Sequence, residues 1–190
     1  MTSMRYNPWK PISSLDTPER LLQGREEQHS PHSPTHDQLR WSWSYSSSQP
    51  GTGGSSIKAR GKLITDNDSD GDGVYQVLGI SGQRNGVRIT GLVPAGTFIP
   101  GNVDPVTGNG YVVDNQIRPQ SKGRPDGQLD SKGIGYALSD GSYCNIFYAS
   151  FLSPAIYLDF HAQPPFPNGL IAPNTETAVQ FRADMIGCHF

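Results

Sequence analysis

The sequence has little cysteine, no long apolar run and no excess of basic charge, and each lack excludes a class of protein. Two cysteines among 190 residues are too few for a disulfide framework or a zinc cage. No stretch approaches the roughly 18–20 consecutive apolar residues of a membrane span. The formal net charge of −2 provides no electrostatic footprint for nucleic acid. We therefore expect neither a membrane span nor a nucleic-acid partner.

Glycine and proline are abundant, with 22 and 16 residues respectively. Such a composition is typical of short strands separated by many turns. The predicted fold is all-β, an antiparallel, jelly-roll-like β-sandwich of about seven to nine strands. The length suits one ordinary domain with a tail. We place a disordered tail at 1–39, the β-sandwich domain at 40–186 and a short second tail at 187–190.

The first 39 residues are predicted to be disordered because they are polar and rich in Pro, Ser, His, Gln and Glu. One short helix is expected near 18–23, with Pro18 at its first position and Gly24 as its stop. The segment has no apolar run typical of a signal peptide, which by default predicts a cytoplasmic protein. Its three histidines are interpreted as part of a solvated tract rather than as metal ligands: His29, His32 and His36.

Alternation of apolar and polar residues predicts the strands. Aromatic residues alternate with serine over 41–45, and apolar residues alternate with charged ones over 57–63, which is the period of a half-buried strand. Asn85-Gly86 favours a type I′ hairpin turn, and Asp140-Gly141 indicates a second hairpin. The strand after it, 143–148, is apolar on both faces and is therefore expected mid-sheet or between packed layers.

An acidic loop, 66–73, separates the second and third predicted strands. Its alternate carboxylates match the first half of a calcium-binding EF-hand, in which oxygens from alternate residues converge on one ion. The twelfth position is Val77 rather than the bidentate Glu of that motif, so further ligands would come from backbone, water or another loop. A solvated acidic turn is the alternative, since Asp, Asn and Gly favour turns by themselves. The candidate calcium ligands are Asp66, Asp68, Asp70 and Asp72.

The sequence carries no nucleophile elbow, no phosphate-binding glycine loop and no zinc-protease helix. We therefore assign no catalytic residue and predict a non-enzymatic structural or interaction domain. Asp159 and His161, two residues apart on a predicted strand, face the same side. A carboxylate beside an imidazole can orient a general base, which leaves a hydrolase as the least favoured alternative.

The aromatic residues Trp41, Trp43 and Tyr45 offer a second alternative. If exposed, they would form a flat platform of the kind that carbohydrate-binding modules stack on sugars; if buried, they would belong to the core. For the protein as a whole, the candidate partner is a cell-surface polysaccharide or a protein. Of the two cysteines, Cys144 is expected to be a small buried residue and Cys188 a tail thiol.

The stretch 79–92, followed by Pro94-Ala95-Gly96-Thr97, resembles a recurrent exported domain of bacteria, notably cyanobacteria. Its members are often PEP-CTERM proteins, which exosortase sorts. The resemblance implies a β-sandwich without an assigned activity, normally secreted or held at the cell surface. Members begin with a signal peptide and end with Val-Pro-Glu-Pro, an apolar span and basic residues, which this sequence lacks, so a retained offshoot or altered chain ends are expected. The likeness extends over 41–45, 113–117 and 135–141.

Overall fold

The computed structural model describes residues 38–47, 56–68, 70–104, 106–120, 127–166 and 176–187. The predicted tail, its helix and its histidines lie outside the described residues, apart from positions 38 and 39. Cys188 lies outside them as well. Within the described ranges, no helix is long and apolar enough to cross a membrane.

Strands make up all the regular structure of the described residues, and every strand pair is antiparallel. The all-β, antiparallel part of the prediction is thus confirmed. The strands are β1 Leu39–Ser46, β2 Lys58–Thr65, β3 Tyr75–Arg84, β4 Val87–Leu92, β5 Phe98–Val103, β6 Gly110–Val112, β7 Gln116–Ile117, β8 Ile134–Leu138, β9 Tyr143–Ala149, β10 Ile156–Ala162 and β11 Glu176–Ile186.

Eight of these strands close into a barrel, and the predicted sandwich is wrong. The order around the barrel is β2-β1-β11-β10-β9-β8-β4-β3, and a further pairing between β2 and β3 joins its two ends. Full closure satisfies every strand edge, which two stacked sheets do not do. The short β7 pairs with the start of β3, and β5 and β6 form a separate hairpin.

Side chains from alternate positions fill the barrel, as eight strands allow. On β1, the two tryptophans and the tyrosine point inward while the serines between them point outward, which the alternation predicts. Trp43 stacks on Tyr45 at 5.8 Å between ring centroids and also contacts Tyr136. Burial of these large rings supplies much of the hydrophobic stabilisation.

Two facing glycines let β2 and β3 approach closely. Gly61 lies opposite Gly82 and, on its other side, opposite Trp43. A Cβ atom on Gly61 would lie 1.8 Å from the carbonyl oxygen of Ser81, so no larger residue fits. Glycines at such positions mark sharp bends at barrel corners.

A second apolar core lies outside the barrel, between β9 and β10 and the hairpin of β5 and β6. Cys144 and Ile146 of β9 face the barrel interior, whereas Phe147 and Ala149 belong to this outer cluster with Ile99 of β5. The prediction that this strand lies between packed layers is confirmed. The Asn85-Gly86 turn also forms, with φ of 48° and 85° at its two central residues.

Candidate metal site

The acidic loop connects β2 to β3 and is anchored at its base. The backbone N–H of Asp66 donates to the carbonyl of Gln76 at 3.0 Å, and the N–H of Gln76 donates back to the Asp66 carboxylate at 2.8 Å. Above this base, Asp68 accepts hydrogen bonds from the N–H groups of Gly71 and Gly73 at 2.8 and 2.9 Å. These bonds wrap the loop around the Asp68 carboxylate.

Three of the four predicted ligands converge. Single carboxylate oxygens of Asp68, Asp70 and Asp72 lie within 4.8 Å of one another, so they could hold one metal ion. Asp66 lines the same cavity, of about 230 Å³, but it lies outside that group of three. Val77, the position where an EF-hand has its glutamate, points into the barrel core and is 3% exposed.

Two glutamines also line the cavity. Gln76 comes from β3 and Gln116 from β7. The side-chain nitrogen of Gln76 donates to the carbonyls of Asp114 and Asn115 at 2.8 and 3.1 Å, so its amide oxygen is the atom left for a ligand role. Sequence reasoning missed Gln116 because β7 has two residues and only the tertiary pairing with β3 brings it to the loop.

The loop carboxylates carry charge that no cation compensates within the described residues. Burial opposes ionisation of Asp68, but the hydrogen bonds from the backbone N–H groups of Gly73 and Gly71 hold its pKa below the usual range. Like charges at these separations repel one another, and a bound cation relieves that repulsion. The ion pairs among the described residues join Arg84 to Asp159, Lys132 to Asp114 and Arg182 to Asp184.

Asp159 makes its side-chain hydrogen bonds to Arg84 and Tyr45. It is fully buried in the barrel, where its Oδ2 accepts from the Arg84 guanidinium at 2.6 and 3.2 Å and its Oδ1 accepts from the Tyr45 hydroxyl at 2.7 Å. His161 lies on the same strand and is half-buried; burial and the nearby Arg84 lower the pKa of His161. The structure shows no hydrogen bond between Asp159 and His161 within the part of the chain it describes.

The buried ion pair extends into a chain of hydroxyl groups. The hydroxyls of Tyr136 and Tyr45 are hydrogen-bonded, and Tyr45 in turn bonds Asp159. Burial and the Asp159 charge raise the pKa of Tyr45, and burial raises that of Tyr136. Burial likewise raises the pKa of Cys144, as expected for an inert core thiol. Sequence reasoning missed Arg84, because an arginine beside a hairpin turn ordinarily faces solvent.

The aromatic platform does not form. Trp41, Trp43 and Tyr45 are 1%, 4% and 2% exposed. Their rings therefore present no face to a sugar, and the alternative of a carbohydrate-binding module built on these aromatics is wrong.

Comparison of the chain with protein-family models, with curated proteins and with solved structures finds no match.

Proposed function

We propose that this protein is a non-enzymatic interaction domain whose acidic loop binds calcium and is held in one conformation by it. The observation that carries the proposal is the convergence of the carboxylates of Asp68, Asp70 and Asp72 within 4.8 Å. The rigid base of the loop, tied to β3 through Asp66, restricts where those carboxylates can go.

The donor set supports calcium over other metals. All the polar side chains of the cavity offer oxygen, either carboxylate or amide, and neither sulfur nor imidazole. Oxygen-only sites suit hard cations such as calcium, magnesium and manganese. Calcium takes six to eight oxygens with flexible geometry, which suits three exposed carboxylates supplemented by Gln76, Gln116 and water. The affinity expected for so open a site is about 10⁻⁴ to 10⁻³ M, the range of extracellular modules.

The resemblance to exported bacterial domains agrees with a weak calcium site. A protein outside the cell meets calcium at concentrations that fill a weak site, whereas a cytoplasmic one does not. We accordingly infer that the domain acts outside the cytoplasm, with a polysaccharide or a protein as its partner.

Thermal unfolding tests the calcium proposal. In calcium at about ten times the dissociation constant, binding to the native state alone adds about 1.4 kcal/mol. For a domain of this size the melting temperature should then rise by roughly 3–6 °C relative to the same protein in chelator. Equal melting temperatures in chelator and in about 10 mM calcium would overturn the proposal.

A pair of variants isolates the loop. Asp70→Asn keeps the oxygen that accepts from the backbone of Asp72 but removes one ligand charge, so the calcium-dependent shift should shrink. Asp104→Asn is the matched control, because Asp104 makes similar bonds to the backbone of Val106 and Thr107 outside the carboxylate group. It should show the full wild-type shift.

A further inference from the structure

The outer face of the barrel carries a row of arginines that the net charge conceals. Ser44 of β1 lies opposite Arg182 of β11 on one side and opposite Arg60 of β2 on the other. Arg60 lies opposite Gln83 of β3, which lies opposite Arg88 of β4. Adjacent strands are about 4.8 Å apart, so the three arginines follow one another at about 10 Å. We call this set the arginine row.

The arginine row is exposed and only partly neutralised. Arg182 forms two bonds to Asp184, at 2.8 and 3.0 Å. Neither Arg60 nor Arg88 makes an ion pair with any residue that the structure describes. Two further exposed cations, Lys58 and Lys62, lie beside Arg60 on β2. The face therefore has a surplus of positive charge.

The arginine row borders a depression in the surface. Ser42 and Ser44 lie between the arginines on β1, and Gly61 and Gly82 line the same depression. This open depression, of about 710 Å³, is bordered by Arg60, Arg88 and Arg182. A second one, of about 960 Å³, adjoins it and shares Ser44, Arg60, Gln83 and Arg182.

The geometry points to an acidic polysaccharide as the ligand of the arginine row. Guanidinium groups bind carboxylate and sulfate through paired hydrogen bonds. Between them, the Ser44 hydroxyl and the Gln83 amide can bond the hydroxyl groups that separate the charges of such a chain. This surface is independent of the acidic loop, and it binds with or without calcium.

Two other classes of anionic partner fit the face less well. Single-stranded nucleic acid binds by stacking its bases on aromatic rings, and the outer face of β1, β2 and the facing part of β11 exposes no ring among the described residues. An extended peptide cannot add here as a further strand, because the strands under the row are paired on both sides and offer no free edge. An acidic peptide would have to bind through the arginines alone, the mode in which arginine clusters hold acidic motifs, so poly-glutamate is the competitor that separates this case from a polysaccharide.

Binding measurements with defined polymers test the assignment. The full chain is titrated with polygalacturonate and with dextran sulfate, beside neutral dextran, poly-glutamate and a single-stranded DNA oligomer. The wild type should bind the two acidic polysaccharides and not neutral dextran. Failure to bind either acidic polysaccharide overturns the proposal, and so does equal or tighter binding of poly-glutamate or DNA.

Substitutions of the charged residues test whether the polysaccharide binds at the arginine row. Arg60→Gln with Arg88→Gln should weaken binding at least about tenfold, the worth of one paired contact. Arg60→Lys with Arg88→Lys retains the charge and should keep part of the affinity. Lys132→Gln removes a charge away from the row and should leave binding unchanged, whereas Arg60→Gln alone removes one charge within it. Equal losses in Arg60→Gln and Lys132→Gln would mean that net charge alone attracts the polymer, and would overturn the assignment. Unchanged melting temperatures check that all the variants fold.

Discussion

Two groups of carboxylates in this barrel differ in what already compensates their charge. Asp159 lies inside the barrel at 0% exposure, with Arg84 and Tyr45 bonded to its two oxygens. Asp68 and Asp70 lie at the surface, where their bonds come from backbone N–H groups. A carboxylate whose charge is compensated therefore stabilises the fold, whereas a cluster whose charge is uncompensated is available to a cation.

The largest effect is expected from breaking the buried pair. Asp159→Ala leaves the Arg84 guanidinium buried without its partner and should cost about 3–5 kcal/mol of unfolding free energy. Urea denaturation of the wild type and of Asp159→Ala measures this loss of unfolding free energy. The double variant Arg84→Met with Asp159→Leu, which removes both charges, should recover most of the loss. A single-variant loss below about 1 kcal/mol would show that Asp159 is not held as described.

A third carboxylate, Asp114, lies in an environment that makes stability depend on pH. Burial and then the hydrogen bond to Asp130 raise the pKa of Asp114 to about 6. The pKa of Asp114 is therefore higher in the folded protein than in the unfolded chain, where it is near 3.8. Protonated Asp114 stabilises the fold fully at pH values below 3.8, and this stabilisation is lost as the pH rises through about 6. Asp114→Asn, whose amide can donate to Asp130 at any pH, should flatten this dependence.

The pH dependence of stability is measured from denaturant midpoints at several pH values between about 4 and 7, for the wild type and for Asp114→Asn. The variant should gain stability over the wild type as the pH rises. Parallel pH profiles would contradict a proton shared by Asp114 and Asp130. The pKa of Asp130 is lowered in the fold, so Asp130 makes stability rise with pH and opposes the effect of Asp114. The test therefore compares the stability of Asp114→Asn with that of the wild type at each pH, rather than relying on the wild-type curve alone.

The smallest effect concerns the end of the buried hydroxyl chain. Tyr136→Phe removes the hydroxyl that bonds Tyr45 but retains the ring, so about 0.5–1.5 kcal/mol should be lost. Thermal or chemical unfolding detects a change of that size. A loss as large as that of Asp159→Ala would mean that Tyr136 is essential to the ion pair rather than peripheral to it.

Local patterns in the sequence predicted the strands but not how they close. Alternation over 41–45 places the aromatic residues on one face, and the Asn85-Gly86 turn is recognisable from two residues. The same alternation fits a sandwich and a barrel equally well. Closure depends on the pairing of β2 with β3 and on the glycines Gly61 and Gly82. Neither the alternation of residues nor a turn motif predicts which strands pair at a distance in the sequence.

The candidate site was partly predictable for a similar reason. The carboxylates of Asp68, Asp70 and Asp72 are close in sequence, so local spacing brings them together. Gln116 reaches the loop only through the fold. Arg84 was missed because its inward direction follows from its position opposite Ala59, a core residue.

Calcium titration followed by amide NMR tests the central claim most directly. If calcium binds at the loop, the backbone amides of Gly71, Gly73 and Gln116 should show saturable shifts, while amides beside Arg84 and Asp159 stay in place. In Asp70→Asn the same shifts should need more calcium. No shift at the loop in about 20 mM calcium, well above the expected dissociation constant, would contradict the account, as would shifts spread evenly over the barrel.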